Sequence, residues 1–295
     1  MDKIVIFLNG PRGIAVVNKL INFGHSISTV VIPTDKKFDL IESKIKKTGL
    51  VCLRILDVNS SQSLVHFRSL LPNLFIIAGY STIFKKELLD IPKKGSINLH
   101  AGRLPEYRGG SPLNWQMING ENEAVISIIK VDENIDTGTI LSEHPIRIEP
   151  KCTIANLHDQ VNEIFPELLL EVILNLQRYK NNSRTQNETN ARYWHQRSDQ
   201  DGHLDFSKMT TIEADRFIRA LTRPYPGAWA ILNQKKIRIF KSEIPKIEIR
   251  GTLGRVCFVG RKGPYVICKD KALLINEYLI EGDKDFKLSN GQILN

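Results

Sequence analysis

A chain of 295 residues, 42% hydrophobic and 25% charged, is ordinary for a folded soluble protein and sits near the upper limit for one core, so one large domain plus one small one is expected. No apolar run approaches the ~20 residues that span a bilayer, and the strand-like run 3–8 is too short for a signal-peptide core, so a cytoplasmic protein with no membrane partner is expected. The net charge of +9 is uneven: residues 1–190 carry 22 Lys/Arg against 20 Asp/Glu, and residues 191–295 carry 19 against 12. This implies an acidic partner such as RNA or a phosphorylated small molecule, or a solubilising surface.

In chain order, short apolar runs at 3–8, 28–32, 51–55 and 74–79 predict buried strands, and helical spacing at 14–23 and 62–71 predicts helices between them. Strands alternating with helices imply a parallel sheet covered on both faces. The first strand-to-helix loop, 9–13, has two glycines but no G-x-G-x-x-G; it reads as a tight turn in which Arg12 is the residue to touch a ligand. A strand at 96–99 leads into the densest motif of the chain. Two more strands, 124–131 and 140–148, flank a turn, and 154–176 is a long amphipathic helix. The polar, aperiodic stretch 180–190 predicts a linker, assigned to 180–192, between a catalytic domain (1–179) and a C-terminal domain (193–295). That domain has a helix at 211–221 and short strands at 228–232, 236–240, 254–260, 265–269 and 272–279, the pattern of a small barrel. The fold class is therefore α/β: a Rossmann-like doubly wound parallel sheet followed by a small OB-like β-barrel. No internal repeat is visible. Cys52, Cys152, Cys257 and Cys268 form no Cys-x-x-Cys pair and read as small buried side chains, so no metal site is expected.

Residues 97–115 read INLHAGRLPEYRGGSPLNW. The ligand crevice of an open α/β sheet lies at the carboxyl ends of its strands. Asn98 and His100 are two apart in a strand and share a face, combining a neutral amide donor with a group that titrates near neutral pH. Further on, VDENIDTGTI places Asp136 in a turn, with Thr137 and Gly138 behind it. A single His at a strand end, or a single Asp-Thr-Gly, is usually structural. Their joint occurrence in one α/β sheet points to chemistry.

On Asn98 and His100, on Leu104-Pro105 with Gly109, and on Asp136-Thr137-Gly138, the sequence resembles the folate-dependent formyltransferase family. Pro112 to Trp115, Arg219 to Leu221 and Pro224 to Ala228 extend the resemblance over most of the chain, and it looks closest to the nucleotide-sugar N-formyltransferases. Two features depart from relatives. The Ala-Gly after His100 replaces the x-Ser of the tRNA-modifying branch, and Gly110 stands where the polymyxin-resistance enzyme has an arginine. The resemblance implies N10-formyltetrahydrofolate as co-substrate and a primary amine as acceptor, with no metal. Attack on the formyl carbon develops a negative oxygen to which Asn98 and a protonated His100 donate, while Asp136 orients His100 and keeps it charged and His100 shuttles the amine proton. The folate is expected over Thr82, Ile83 and Phe84 and over Asp132, Glu133, Asn134 and Ile135, largely through backbone groups; the rings of Tyr80 and Phe84 read either as core or as stacking on the pterin. Expected substrate contacts are Arg12, Arg103, Tyr107, Arg108, Tyr193, Trp194, Arg197 and Tyr225, the 193–197 segment being suited to stack on a base and pair with phosphates. The expected acceptor is a nucleotide-linked amino sugar, such as a dTDP-, GDP- or UDP-4-amino-4,6-dideoxyhexose, for surface polysaccharide (O-antigen or lipopolysaccharide) biosynthesis. The alternative is initiator methionyl-tRNA, which calls for a long basic loop; residues 33–47 carry Lys36, Lys37, Lys44, Lys46 and Lys47 diluted by acidic residues. A nucleic-acid partner and a homodimer both stay open.

Overall fold

The structure, a computed structural model, describes residues 2–283 and 285–295. The chain forms two compact units. The first is Met1–Pro112, Val125–Ile146 and Asp159–Trp194; the second is Leu113–Ala124, Arg147–His158 and His195–Asn295. These bounds differ from the sequence expectation. The 180–192 segment belongs to the first unit, because it is hydrogen-bonded along its length to that unit's loops, as described below.

The first half runs β1 (Lys3–Leu8), α1 (Pro11–Asn22), β2 (Ser26–Ile32), α2 (Asp39–Lys46), β3 (Cys52–Arg54), α3 (Ser61–Ser69), β4 (Leu74–Ala78), α4 (Lys86–Leu89) and β5 (Ser96–His100). It continues through β6 (Arg108–Gly109), α5 (Pro112–Ile118), β7 (Glu123–Lys130), β8 (Ile140–Arg147), α6 (Ile154–Leu174), α7 (Leu176–Asn181) and β9 (Tyr193–Trp194). Seven strands form one sheet in the order β3-β2-β1-β4-β5-β7-β8. The β1–β2, β1–β4, β2–β3 and β4–β5 pairs are parallel, and β7 runs antiparallel to β5. All five residues of β4 and the last five of β1 are buried, as strands covered on both faces require. Phe7 is the hub of the core on one face, its ring 5.4 Å from Phe67, 5.2 Å from Phe75, 5.8 Å from Tyr80 and 4.8 Å from Phe84.

The 9–13 turn is shorter than expected because α1 begins at Pro11, where the fixed φ of proline suits the first helical position. Residues 33–47, weighed above against the basic loop of a tRNA-modifying enzyme, hold a 3-10 turn at Lys36–Phe38 and then α2. No helix among the described residues is long and apolar enough to cross a membrane.

In the second unit α8 (Thr211–Leu221) opens with a capping box between Thr210 and Glu213. The strands β10 (Ala228–Leu232), β11 (Lys235–Glu243), β12 (Val256–Val259), β13 (Lys262–Ile267) and β14 (Ala272–Ile280) form an antiparallel sheet in the order β10-β11-β14-β13-β12. The 292–295 segment joins its two edges. Val256 N–H donates to Gln292 O at 2.8 Å, Leu294 N–H to Gly254 O at 2.9 Å, and Asn295 exchanges hydrogen bonds with Ile231 of β10 at 2.6 and 2.9 Å. Ala214, Phe217, Ile218 and Leu221 of α8 pack with Ile237, Ile239, Val266 and Leu273 in this unit's core. A short turn at Asp199–Gly202 is tied to the sheet by Asp199, which accepts from Arg238 Nη1 at 2.7 Å and Lys236 Nζ at 2.8 Å. These contacts, with the Arg238 hydrogen bond foremost, hold the Asp199 carboxyl down at about 2.

Candidate active site

Asn98 and His100 stand on one face of β5, and the 131–139 hairpin between β7 and β8 brings Asp136 to them. Asn98 Nδ2 donates to Asp136 Oδ1 at 3.3 Å, and His100 Nδ1 lies 3.4 Å from Asp136 Oδ2. The backbone N–H of Gly109 donates to the same Oδ2 at 2.9 Å. His100 is 5% exposed and the Asp136 side chain 13%. The three residues expected to be catalytic are therefore brought together in a largely buried cluster.

The ring of His100 is fixed at both nitrogens. Its Nε2 meets the carbonyl oxygen of Tyr107 at 2.6 Å. A carbonyl only accepts, so Nε2 carries a hydrogen and Nδ1 is the nitrogen that faces Asp136. With no proton between them, Nδ1 and Oδ2 oppose two lone pairs; with one, they form an ion pair. Against the expectation that His100 donates to the developing negative oxygen, both its nitrogens already face partners. Asn98 Nδ2 has a second hydrogen beyond the one given to Asp136. Gly102 explains why the loop can cross here: a Cβ at that position would lie 2.7 Å from His100 Nε2 and 2.8 Å from Tyr107 O.

Asp136 has φ 55°, the left-handed region that non-glycine residues rarely adopt. Two features hold it there. Gly138 packs so closely that a Cβ would lie 1.6 Å from Lys130 O. Gln186, 5% exposed, donates from Nε2 to Asp136 O at 2.7 Å and to Gly138 O at 2.8 Å. Sequence reasoning missed Gln186, the Tyr107 carbonyl and the Gly109 amide. The two backbone groups have no residue-type signal, and Gln186 lies in a polar run with no periodicity to single it out.

The 183–194 segment is a strap on the first unit. Arg184 exchanges backbone hydrogen bonds with Ile140 at 2.8 and 2.9 Å, Arg192 N–H donates to Pro105 O at 3.1 Å, and β9 pairs in parallel with β6. Beneath it lies Arg108, fully buried. All its N–H groups are engaged: Nε and Nη2 donate to Gln186 Oε1 at 3.0 and 2.9 Å, Nη1 and Nη2 to Glu188 at 2.9 and 2.6 Å, and Nη1 also to Tyr193 Oη at 2.9 Å. The expected substrate contact at Arg108 is therefore corrected: no donor remains, and the side chain fastens strap to loop. Tyr107 and Trp194 stack on each other at 5.6 Å between ring centroids, and Trp194 Nε1 donates to Glu106 O at 2.9 Å. Their rings hold the same loop, and Tyr193 is exposed apart from its contact with Arg108.

Both segments expected to hold the folate border one core: Phe84 lies in it and Val131, next to Asp132, packs against it. Thr82, Ile83 and Asp132 to Ile135 are exposed, and Ile83 and Ile135 stand out as large apolar side chains that are 53% and 46% exposed. Of the two readings of Phe84 the structure has the core one: the residue is 2% exposed and its ring packs on Phe7. Tyr80 is likewise core, with its phenol pushed above its ordinary pKa by burial. Arg12 stacks over Phe165 at 5.1 Å, and Arg103 is partly buried in the loop after β5. Arg197 and Tyr225 belong to the second unit. Arg197 lies over Trp115 at 4.7 Å and Phe217 at 5.5 Å, where burial pulls its pKa below the usual value, and Tyr225 Oη is 2.9 Å from His158 Nε2. Among the described residues no group of His, Cys, Asp and Glu is arranged to hold a metal ion.

Residues 3–173 match the model of the Formyl transferase family, and residues 197–291 match that of the Formyl transferase C-terminal domain. The chain belongs to the formyl transferase family. It is an enzyme that transfers a formyl group, with N10-formyltetrahydrofolate as the donor used across the family. It is 30% identical over 309 residues to a methionyl-tRNA formyltransferase of Geotalea uraniireducens, covering 98% of this chain and 97% of that protein. Its fold is shared with the N-formyltransferase of Helicobacter canadensis solved with folinic acid and dTDP-3-aminofucose, at TM-score 0.69 and 18% identity, covering 94% of this chain and 100% of that one. It is also similar to HypX of Aquifex aeolicus solved with tetrahydrofolic acid, at TM-score 0.64 and 17% identity, covering 94% of this chain but only 44% of the HypX chain.

Proposed function

We propose that this enzyme formylates the amino group of a nucleotide-linked amino sugar, such as an amino-dideoxyhexose, a cytoplasmic step toward surface polysaccharide. The observation that carries this choice is the state of residues 33–47. Gripping a tRNA acceptor stem calls for a long loop of uncompensated cations. Here most of the segment is wound into a 3-10 turn and α2, and part of its charge is met locally. Lys37 is 3.3 Å from Asp35 and Lys46 2.7 Å from Glu42, while Arg54 spans Asp39 and Glu42 at 2.6 and 2.7 Å. The Ala101-Gly102 form of the loop after His100 supports the same reading, as does the amino-sugar ligand of the Helicobacter canadensis neighbour.

The donor supplies a formyl carbon activated by its attachment to a folate nitrogen. The chain's own groups do the rest. Asn98 Nδ2 donates to the oxygen that becomes negative, a contribution of about 10²–10³ in rate for one such donor. The His100–Asp136 pair takes the proton of the attacking amine, directly or through a water, and returns it to the leaving nitrogen; general acid–base help of this kind is worth roughly 10²–10⁴. Gly109 N–H keeps the Asp136 carboxylate aimed at His100. Ile83, Ile135 and the exposed residues 82–83 and 132–135 hold the pterin.

A second reading, methionyl-tRNA as acceptor, is favoured by the Geotalea uraniireducens relative and by the excess of 19 Lys/Arg over 12 Asp/Glu in residues 191–295. Incubation with N10-formyltetrahydrofolate, a panel of dTDP-, GDP- and UDP-amino sugars and charged initiator tRNA, followed by mass detection of product, separates the two. Formylation of an amino sugar is expected; formylation of tRNA alone overturns the proposal.

A further inference from the structure

We infer that Gln186 is a positioning residue for formyl transfer, holding Asp136 in its left-handed conformation while Arg108 locks the glutamine amide in the one orientation that can do so. This rests on the proposed role of Asp136 in proton transfer. Gln186 lies 50 residues along the chain from Asp136 and meets it at the main-chain carbonyl rather than at the carboxylate. What it holds is the backbone of Asp136.

The argument begins with the amide's hydrogen-bonding capacity. A glutamine side chain offers two N–H donors and an oxygen with two lone pairs. Gln186 uses all of them: Nε2 bridges the carbonyls of Asp136 and Gly138 at 2.7 and 2.8 Å, and Oε1 accepts Nε and Nη2 of Arg108 at 3.0 and 2.9 Å. Oxygen and nitrogen cannot be exchanged, because Arg108 only donates and the two carbonyls only accept. The charged guanidinium therefore fixes which end of the amide faces the hairpin.

Bridging carbonyls two residues apart fixes the turn between them. Asp136 at φ 55° pays a conformational cost that the surroundings must overcome, and the double bridge from Nε2 supplies the constraint at the carbonyls on either side of Thr137. The loop closes back on itself through Gly109, next in sequence to Arg108, whose N–H holds Asp136 Oδ2 at 2.9 Å. Arg108 thus governs Asp136 from two sides, through the glutamine to its backbone and through the next peptide to its carboxylate.

Glutamate at 186 separates a structural role from a positioning one. It still accepts from Arg108, so a residue needed only to satisfy that buried cation is replaced without loss. Its second oxygen, however, has no hydrogen to offer the carbonyls of Asp136 and Gly138 and repels them. Gln186→Glu is therefore expected to fold, with a melting temperature above that of Gln186→Leu, yet lose about 10²-fold in kcat, the effect of a misplacement near 1 Å, with KM for donor and acceptor changed less than threefold. Gln186→Leu, which loses both functions, is expected to show the same kcat loss with a lower melting temperature. Asp136→Ala is run beside them with N10-formyltetrahydrofolate and whichever acceptor of the panel is formylated. If Asp136→Ala loses turnover and Gln186→Glu keeps it, the inference is overturned and Gln186 merely satisfies Arg108. If Asp136→Ala keeps turnover, the reading of Asp136 itself fails.

Discussion

Asp136 and Asp199 are both aspartates tied to distant parts of the chain, and what ties them differs in kind. Asp136 is 13% exposed and is met by an amide, a peptide N–H and an imidazole, none of them a permanent charge. Asp199 is 39% exposed and is met by a guanidinium and an ammonium. The first arrangement is directional and dry, so it fixes geometry and leaves a proton to move. The second is ionic and wet, so it depresses one carboxyl and anchors one turn while demanding little of angle. Exposed ion pairs contribute about 0–1 kcal/mol, whereas a buried polar group left without its partner costs about 1–3 kcal/mol. Function has been placed on the kind of contact whose loss is felt most.

The sharpest way to break this contrast is at Asn98. Asn98→Ala is expected to lower kcat about 10²–10³-fold with KM for the donor little changed, measured by steady-state kinetics on the formylated acceptor; near-normal turnover would remove Asn98 from the chemistry. Next comes Gly138→Ala. A methyl group placed 1.6 Å from Lys130 O must move the hairpin, so roughly 3 kcal/mol of stability and most of the activity should go together in thermal melts and assays. Arg108→Met keeps the bulk but strands the Gln186 oxygen, and about 2 kcal/mol is expected from denaturant unfolding. The smallest effect belongs to Asp199→Asn, under about 1 kcal/mol at neutral pH. Its signature is in the acid limb. A carboxyl held at about 2, below its ordinary 3.8, stabilises the fold above pH 3.8 and loses that contribution as pH falls toward 2. The gap in melting temperature between the wild type and Asp199→Asn should therefore shrink as pH falls from 3.8 and close toward pH 2; a constant gap would assign the depressed carboxyl no role in stability.

Much of the molecule was legible before its structure. The strands at 3–8 and 74–78 announce themselves because a parallel sheet buried on both faces must be continuously apolar. Asn98, His100 and Asp136 are visible because each is a residue type whose chemistry suits the reaction. What stayed hidden depends on pairing rather than on residue type. Lys36 to Lys47 read as charge, and the charge masked a helix whose apolar contribution is one buried residue, Ile45. The expected free ends of Arg108 were likewise a property of the sequence alone; only the folded strap shows that Gln186, Glu188 and Tyr193 occupy them. The pairing of Asn295 with Ile231 has no local signal at all, because a strand's partner across a sheet is chosen by tertiary packing.

The strap carries a lesson for modular engineering. The two recognisable segments of the family occupy 3–173 and 197–291, and the 183–194 stretch falls in the gap between them. A chimera that grafts a new acceptor-binding half at residue 173 would inherit Asn98, His100 and Asp136 and discard the glutamine that sets their geometry. The productive splice point lies after Trp194, where β9 has finished pairing with β6. Seen this way, a stretch that resembles dispensable connecting chain is the part of the first unit that a domain swap can least afford to exchange.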